Sequence, residues 1–229
     1  YDNVQFLGDA GMIDLTQNGD TLALRGSLIE EAPIKALRER LAGMFKEWEP
    51  KGIVYTMTRD NSGRYDFASV GNAGIKFSPE NYNEDVAASF TKIKENLVKK
   101  DPNGRLYILN GLPGTGKTYF LRGLLQEVEG VSFVLVPAAL LAHLTDPEMM
   151  TALISELGDK PTCLILEDAD QCLVKRNEGN MPSISSLLNL SDGIIGSLLN
   201  IHIVCTTNAE QVDIDPAAMR AGRMGAHMD

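Results

Sequence analysis

The sequence is poor in cysteine, and this shortage already excludes some classes of protein. Its 229 residues include three cysteines, Cys163, Cys172 and Cys205, with no CxxC pair among them. An odd number of widely spaced cysteines does not favour a disulfide framework or a structural zinc site. The three histidines are scattered as well, so no cluster of metal ligands is predicted. This usage is typical of a reducing compartment, and we expect a cytoplasmic protein.

An excess of positive charge is also missing. The chain has 21 Lys and Arg against 31 Asp and Glu, a net charge of −10. Because phosphate neutralisation by lysine and arginine dominates nucleic acid binding, nucleic acid is not expected as the main partner. The most apolar stretches, "FVLVPAALLAHL" and "IIGSLLNIHIVC", are interrupted by Pro137, His143, Asn200 and His202. Neither contains the roughly 20 apolar residues of a membrane helix, so no membrane segment is expected.

The patterns that are present predict two parts. Residues 1–80 form a predicted small α+β N-terminal module, to which the sequence assigns no chemistry. The stretch "APIKALRERLAGMFKEW", which begins at Ala32, has apolar residues at helical spacing. Further on, "GIVYTMT" and "RYDFASV" flank the polar stretch "RDNSG", a pattern typical of two strands joined by a turn.

Residues 81–229 alternate predicted helices with short apolar strands. Helices are predicted at about 84–99, 117–128, 147–157 and 183–196. The strands are "RLYILN", "VSFVLVP", "TCLILE" and "IHIVCTT". This alternation predicts an α/β fold with a parallel sheet covered by helices on both faces.

The stretch "GLPGTGKT", Gly111–Thr118, lies between the strand "RLYILN" and a predicted helix. It matches the phosphate-loop pattern GxxxxGK[ST] in the required strand–loop–helix context, which makes the fold a P-loop NTPase type. In this pattern Lys117 reaches the β- and γ-phosphates and Thr118 offers its hydroxyl to Mg²⁺. The residues expected to bind nucleotide are Gly111, Pro113, Gly114, Thr115, Gly116, Lys117, Thr118 and Tyr119.

The stretch "LILEDAD", Leu164–Asp170, is an apolar strand that ends in carboxylates. Because open α/β sheets bind ligands at the carboxyl ends of their strands, these acids are expected beside the phosphate loop. One acid can hold Mg²⁺ while its neighbour orients the attacking water. Our hypothesis assigns Glu167 to the metal, Asp168 to the water and Asp170 to a structural role. The alternative is a strand end whose acids are merely solvated.

Two further motifs carry polar side chains that suit the same chemistry. "IHIVCTTN" ends at Asn208, whose neutral amide can hold the attacking water or contact the γ-phosphate, or simply form a turn. "DIDPAAMRAGRM" places Arg220 and Arg223 three residues apart, on a predicted short helix or turn where both face one way. They are either solvated surface arginines or arginine fingers, which are often supplied in trans.

Together and in this order, "GLPGTGKT", "LILEDAD", "VCTTN" and "DPAAMRAGR" resemble the AAA ATPase family, over about residues 80–225. The resemblance implies ATP and Mg²⁺ as ligands and ATP hydrolysis as the reaction. It implies that Asn208 is the sensor residue and that Arg220 and Arg223 reach the nucleotide of a neighbouring subunit. A ring of identical subunits, commonly a hexamer, is therefore implied, with a protein partner that is remodelled or moved.

The sequence departs from the usual family pattern in three places. The acid pair runs Glu167 then Asp168 rather than Asp then Glu, and this order is similar to the Rieske-protein translocase branch, whose members move a folded protein. The stretch Ala142–Thr145 lacks the aromatic pore loop of many members that unfold their substrates. The chain ends at Asp229, where the helical lid of the family is expected to begin.

The leading interpretation is a Mg²⁺-dependent ATPase that remodels or translocates a protein. A nucleic-acid motor or loader is the second, since the same fold hosts such proteins. A small-molecule P-loop kinase is disfavoured by the arginines of "DPAAMRAGR". A nucleotide-dependent switch with little turnover stays open because of the reversed acid pair.

Overall fold

The computed structural model describes residues 2–8, 11–18, 21–28, 40, 53–102, 104–157, 160–173, 181–208, 214–220 and 222–228. The chain separates into two compact units, residues 1–49 and residues 50–229. In the first unit, β1 (Asp2–Gly8), β2 (Gly11–Asn18) and β3 (Thr21–Leu28) form an antiparallel sheet in that order. Of the helix predicted from Ala32, the structure describes only Arg40, which is helical.

The second unit is built on a seven-stranded sheet. Its strands are β4 (Ile53–Arg59), β5 (Tyr65–Asn72), β6 (Leu106–Asn110), β7 (Ser132–Leu135), β8 (Thr162–Leu166), β9 (Ile201–Thr207) and β10 (Met224–Met228). Their order across the sheet is β10-β6-β9-β8-β7-β4-β5. Every neighbouring pair is parallel except β4 and β5, which are antiparallel. The predicted α/β fold is therefore confirmed.

The helices of this unit follow the predicted periodicity closely. They are α1 (Glu84–Leu97), α2 (Lys117–Glu127), α3 (Pro147–Leu157), α4 (Asp170–Leu173), α5 (Met181–Asp192) and α6 (Ile194–Leu198). Short 3₁₀ turns cover Pro79–Asn81 and Ala138–His143. The helix predicted over 183–196 is divided in two, because Gly193 takes an extended conformation between α5 and α6. Among the described residues, no helix is both long and apolar enough to cross a bilayer.

The β4–β5 hairpin corresponds to "GIVYTMT" and "RYDFASV", but it belongs to the large sheet. β4 pairs in parallel with β7 through Val54 and Phe133. Met57 and Tyr65 are buried in the same core cluster as Val134. The boundary between the two compact units thus lies after Glu49, whereas the sequence predicts a boundary at residue 80. Turn and strand patterns reveal a hairpin, but they do not reveal which sheet a strand joins.

The sheet has a separate core on each face. Along β6, Leu106 and Ile108 pack into one apolar cluster, whereas Tyr107 and Leu109 pack into the other. This alternation follows from the two-residue period of a strand. All residues of β8 and β9 are buried, which explains why most of their residues are apolar.

Strand order brings the sequence motifs to one edge of the sheet. β9 lies between β6 and β8, with Asn110 opposite Thr207 and Leu166 opposite Cys205. Because the three strands are parallel, the segments that follow them leave at the same edge. The phosphate loop, the carboxylates after Leu166 and the end of β9 therefore meet there.

One buried polar group in this core has a consequence for stability. His202 on β9 is 0% exposed, and neither of its ring nitrogens has a hydrogen-bond partner in the described part of the chain. Its ring stacks on Tyr107 at a centroid distance of 6.2 Å. Burial, with a smaller contribution from Arg105, lowers the pKa of His202 to about 3. The folded protein therefore holds this imidazole in its neutral form.

We expect acid to destabilise the protein through His202. Its pKa is lower in the folded chain than the ordinary value of 6.5, so its contribution to stability is complete above pH 6.5 and declines as the pH falls towards 3. The loss is about 1.4 kcal/mol per pH unit over this window. His202→Phe should make the free energy of unfolding less dependent on pH, as measured by urea titrations at several pH values. Ile203→Val is the packing control and should keep the wild-type dependence, and an equal pH dependence in His202→Phe would contradict the prediction.

Candidate functional site

The phosphate loop joins the end of β6 to the start of α2. Gly114 and Gly116 have φ angles of 84° and 93°, values that residues with a side chain rarely adopt. The turn between them is stabilised by Thr115, whose hydroxyl donates to the carbonyl of Leu112 at 2.9 Å. α2 begins directly after Gly116, at Lys117. Its first N–H groups lack intrahelical partners, which makes this helix end suited to an anion.

The ammonium group of Lys117 lies over the loop. It donates to the carbonyl oxygens of Gly111 at 2.7 Å and Leu112 at 3.0 Å. It also donates to Oδ1 of Asn208, 2.8 Å away. The contact with Asn208 joins the phosphate loop to the end of β9. The ammonium group of Lys117 therefore lies between the phosphate loop and the polar end of β9.

The carboxylates after β8 contact different partners. The hydroxyl of Thr118 donates to Oε1 of Glu167 at 3.1 Å. Asp168 has a φ angle of 52°, and its backbone N–H donates to the Thr206 hydroxyl at 2.9 Å. The amide of Asn208 lies 3.4 Å from Oδ1 of Asp168. Glu167 thus faces the phosphate loop, whereas Asp168 is held by β9.

Asp170 connects the ends of β8 and β9. Its Oδ1 accepts from the Thr207 hydroxyl at 2.5 Å and from the backbone N–H of Asn208 at 2.7 Å. These bonds position Asn208 next to Lys117 and Asp168. Asp170 therefore determines where the polar end of β9 lies.

Two cavities border the phosphate loop. The larger, about 470 Å³, lies between the loop and the polar group Glu167, Asp168 and Asn208. The smaller, about 240 Å³, is lined by Asn81, Tyr82, Asn83, Val86 and Leu109 together with the loop. Lys117 borders both cavities. Each of the eight predicted nucleotide-binding residues, including Tyr119, lines one cavity or the other.

The donor set fits a nucleotide with a divalent cation. The hydroxyl of Thr118 and the carboxylate of Glu167 are oxygen ligands of the kind that Mg²⁺ prefers. In the described part of the chain, no group of three or more His, Cys, Asp and Glu could hold a metal by itself. Proteins commonly hold Mg²⁺ through one or two carboxylates together with phosphate and water, and Glu167 supplies one such carboxylate beside the phosphate loop.

The two predicted arginines do not share one environment. Arg223 is mostly buried, with its Nε donating to Asp192 at the end of α5 and another guanidinium nitrogen donating to the carbonyl of Ala217. Arg220 is exposed and makes no side-chain hydrogen bond or ion pair with the described residues. Neither arginine lines the two cavities. Arg223 thus pairs with Asp192, whereas Arg220 has no such partner among the described residues, so the two arginines are not equivalent in this structure.

Sequence reasoning missed Tyr82 and Thr206. The hydroxyl of Tyr82 donates to the carbonyl of Gly116 at 2.8 Å, from a residue 34 positions earlier in the chain. Thr206 supports the backbone of Asp168. No local motif marks Tyr82. For Thr206, the polar end of the strand "IHIVCTTN" was the available signal.

A glycine-containing loop that leads into a helix, a lysine above the loop and carboxylates at the end of β8 define a nucleotide-binding protein of the P-loop NTPase class. Within that class, residues 107–229 match the family described as "ATPase family associated with various cellular activities (AAA)". The match covers more than half of the chain, and the chain belongs to the AAA family.

Curated proteins of several kinds are similar to this chain. It is 33% identical over 141 residues to Cell division control protein 48 homolog B of Arabidopsis thaliana, covering 57% of this chain and 23% of that protein. It is 35% identical over 129 residues to the Probable mitochondrial chaperone bcs1 of Schizosaccharomyces pombe, covering 54% and 27%. It is 26% identical over 184 residues to the 26S proteasome regulatory subunit 4 homolog of Schizosaccharomyces pombe, covering 75% and 40%. The chain thus spans less than half the length of each of these relatives.

Proposed function

We propose that this chain binds ATP with Mg²⁺ and hydrolyses its terminal phosphoanhydride, as one subunit of a ring that remodels or moves a protein partner. The observation that carries this proposal is the cavity where Lys117, Thr118, Glu167, Asp168 and Asn208 converge. A cation, two oxygen ligands for a metal, a candidate base and a neutral amide are the parts that phosphoryl transfer to water requires.

The contacts support different roles for the two acids. Glu167 accepts from the hydroxyl of Thr118, the side chain expected at the metal, so Glu167 is proposed to hold Mg²⁺. The bound ion would neutralise negative charge that develops on the phosphates. Asp168 lies beside the Asn208 amide and is proposed to accept a proton from the attacking water. The reversed order assigns the shorter side chain to the water in this proposal, and the left-handed backbone of Asp168, with a φ angle of 52°, supports a different orientation from that of Glu167.

Two surface features support assembly with further copies of the chain. Arg220 is exposed and without a partner among the described residues, so it is available to a neighbouring subunit. The short helix α6 exposes large apolar side chains, with Ile194 79% and Leu198 78% exposed. α6 follows Asp192, the partner of Arg223. An apolar helix that follows the Asp192–Arg223 pair suits contact with a second copy of the chain.

We propose that the partner is a protein, and that it is moved as a folded body. The net charge of −10 disfavours nucleic acid. The order Glu167–Asp168 favours the Rieske-protein translocase branch, and the similarity to a protein described as a probable mitochondrial chaperone also favours a protein partner. The 3₁₀ turn Ala138–His143 and the residues after it bring no aromatic side chain that would grip an unfolded chain.

ATP binding by the Lys117→Ala variant tests this function. We expect the wild-type chain to bind ATP and to release phosphate in a Mg²⁺-dependent manner that EDTA stops. Lys117→Ala should weaken ATP binding about 100-fold, because the charge-assisted hydrogen bonds of an ammonium to phosphate are each strong. Calorimetric titration with ATP measures the affinity, and steady-state phosphate release measures turnover.

The matched control for this test is Lys94→Ala. Lys94 pairs with Glu127 at 3.0 Å, away from both cavities, and its replacement removes the same charge. This variant should bind ATP as the wild type does. Wild-type affinity in Lys117→Ala would refute the proposed phosphate site. Binding without phosphate release would indicate a nucleotide-dependent switch, and stimulation of turnover by DNA or RNA would indicate a nucleic-acid motor.

A further inference from the structure

Tyr82 is bonded to the phosphate loop from a segment that precedes the loop by 34 positions. Its hydroxyl donates to the carbonyl oxygen of Gly116 at 2.8 Å. That oxygen also accepts the N–H of Phe120 at 2.9 Å, which is the first helical bond of α2. The Gly116 carbonyl is therefore fixed from two directions, once by the helix and once by Tyr82.

The fixed carbonyl determines the direction of the neighbouring N–H group. A peptide unit is planar, and in the trans form its C=O and N–H point in opposite directions. The N–H opposite the Gly116 carbonyl is that of Lys117, one of the first N–H groups of α2, which have no intrahelical partner. Gly116 has a φ angle of 93°. Because glycine has no side chain, its backbone dihedral angles can change readily. A restraint on this peptide therefore orients a donor that lies in the phosphate loop.

Tyr82 is itself held firmly. Its ring stacks on that of Phe77, with 5.2 Å between the ring centroids, and makes a T-shaped contact with Phe120, with 6.0 Å between the centroids. Phe77 stacks in turn on Phe90 of α1. Burial, with a contribution from Tyr119, raises the pKa of Tyr82, so the hydroxyl keeps its proton and remains a donor.

The fit between Tyr82 and Gly116 is close. A Cβ atom added at Gly116 would lie 3.0 Å from the Tyr82 hydroxyl oxygen. Tyr82 also lines the smaller cavity, which Gly111, Thr115 and Lys117 of the loop border as well. The same side chain thus borders a cavity beside the phosphate loop and is hydrogen-bonded to a peptide of that loop.

We propose that Tyr82 is a positioning residue for nucleotide binding, which acts by orienting the Gly116–Lys117 peptide so that the Lys117 N–H faces the phosphates. This inference rests on the proposed ATP site. It assigns a role in nucleotide binding to the segment before α1, which lies outside the phosphate-loop motif.

Tyr82→Phe tests the proposal, because it removes one hydroxyl and leaves the aromatic stack in place. We expect the Kd and the KM for ATP to rise about five-fold, the effect of one lost hydrogen bond. We expect kcat to stay unchanged, since the Lys117 N–H would contact the phosphates equally in the ground state and in the transition state. Calorimetric titration with Mg·ATP and steady-state phosphate release provide both values.

Tyr107→Phe is the matched control, since the Tyr107 hydroxyl also donates to a backbone carbonyl, that of Gly104 at 3.3 Å, but within the core. It should keep the wild-type Kd. Unchanged affinity in Tyr82→Phe, or an equal loss in both variants, would overturn the positioning role while leaving the ATP site intact. A wild-type chain that binds no ATP would instead refute the proposed function itself.

Discussion

Asp168→Asn is expected to lower kcat for ATP hydrolysis about 1,000-fold, the usual size of a general-base contribution. The Kd for ATP should stay within about two-fold, because the amide keeps the shape of the carboxylate and Lys117 still reaches the phosphates. The reason lies in the contacts of Asp168, which is held by Thr206 and faces Asn208 rather than Thr118. Single-turnover and steady-state phosphate release measure the effect.

Glu167→Gln separates the roles of the two acids. Glu167 accepts from Thr118, so its replacement should chiefly raise the Mg²⁺ concentration needed for tight ATP binding. The assignment is wrong if Asp168→Asn hydrolyses ATP normally while Glu167→Gln binds Mg·ATP well and is inactive. That result would mean that the acid roles are exchanged.

Arg220→Ala is expected to lower kcat by about 1,000-fold as well, the range of an arginine finger that stabilises the transferring phosphoryl group. ATP affinity should be unchanged, because Arg220 lines neither cavity of its own chain. Arg64→Ala removes the same charge from another exposed arginine, on the β4–β5 hairpin, and should retain wild-type turnover. Steady-state phosphate release compares the two variants.

Mixed assemblies decide whether Arg220 acts in trans. Arg220→Ala and Asp168→Asn subunits are each expected to be inactive alone. In a closed ring with head-to-tail interfaces, each site takes Asp168 from one subunit and Arg220 from its neighbour. In a random mixture of equal amounts, both residues are therefore intact in roughly a quarter of the sites. Turnover should therefore reappear on mixing. An inactive mixture of subunits that do assemble together would contradict the trans arrangement.

The part of the site that the sequence predicted is the part encoded in contiguous motifs. The loop Gly111–Thr118 and the acids after β8 could be found because glycine spacing and a strand end are local patterns. Tyr82 could not be found this way. Its contact with Gly116 depends on how the segment before α1 packs against α2 through the aromatic cluster of Phe77, Phe90 and Phe120.

The arginines show a second limit of sequence reasoning. Their spacing suggests two equivalent side chains, but Asp192 at the end of α5 binds only Arg223. The division of α5 from α6 at Gly193 was missed for a similar reason, since apolar periodicity continues across that residue. The spacing of apolar residues predicts a helix, but it does not predict the extended backbone of Gly193 that interrupts this one.

The sequence by itself determined the alternation of strands and helices, the phosphate loop and the family, because each depends on residues close together along the chain. The tertiary structure alone decided that β4 joins the sheet beside β7 and that Lys117 meets Asn208, 91 residues away. It also decided that Tyr82 restrains the loop. Such contacts depend on strand order and on the packing of side chains across the sheet, which residue periodicity does not specify.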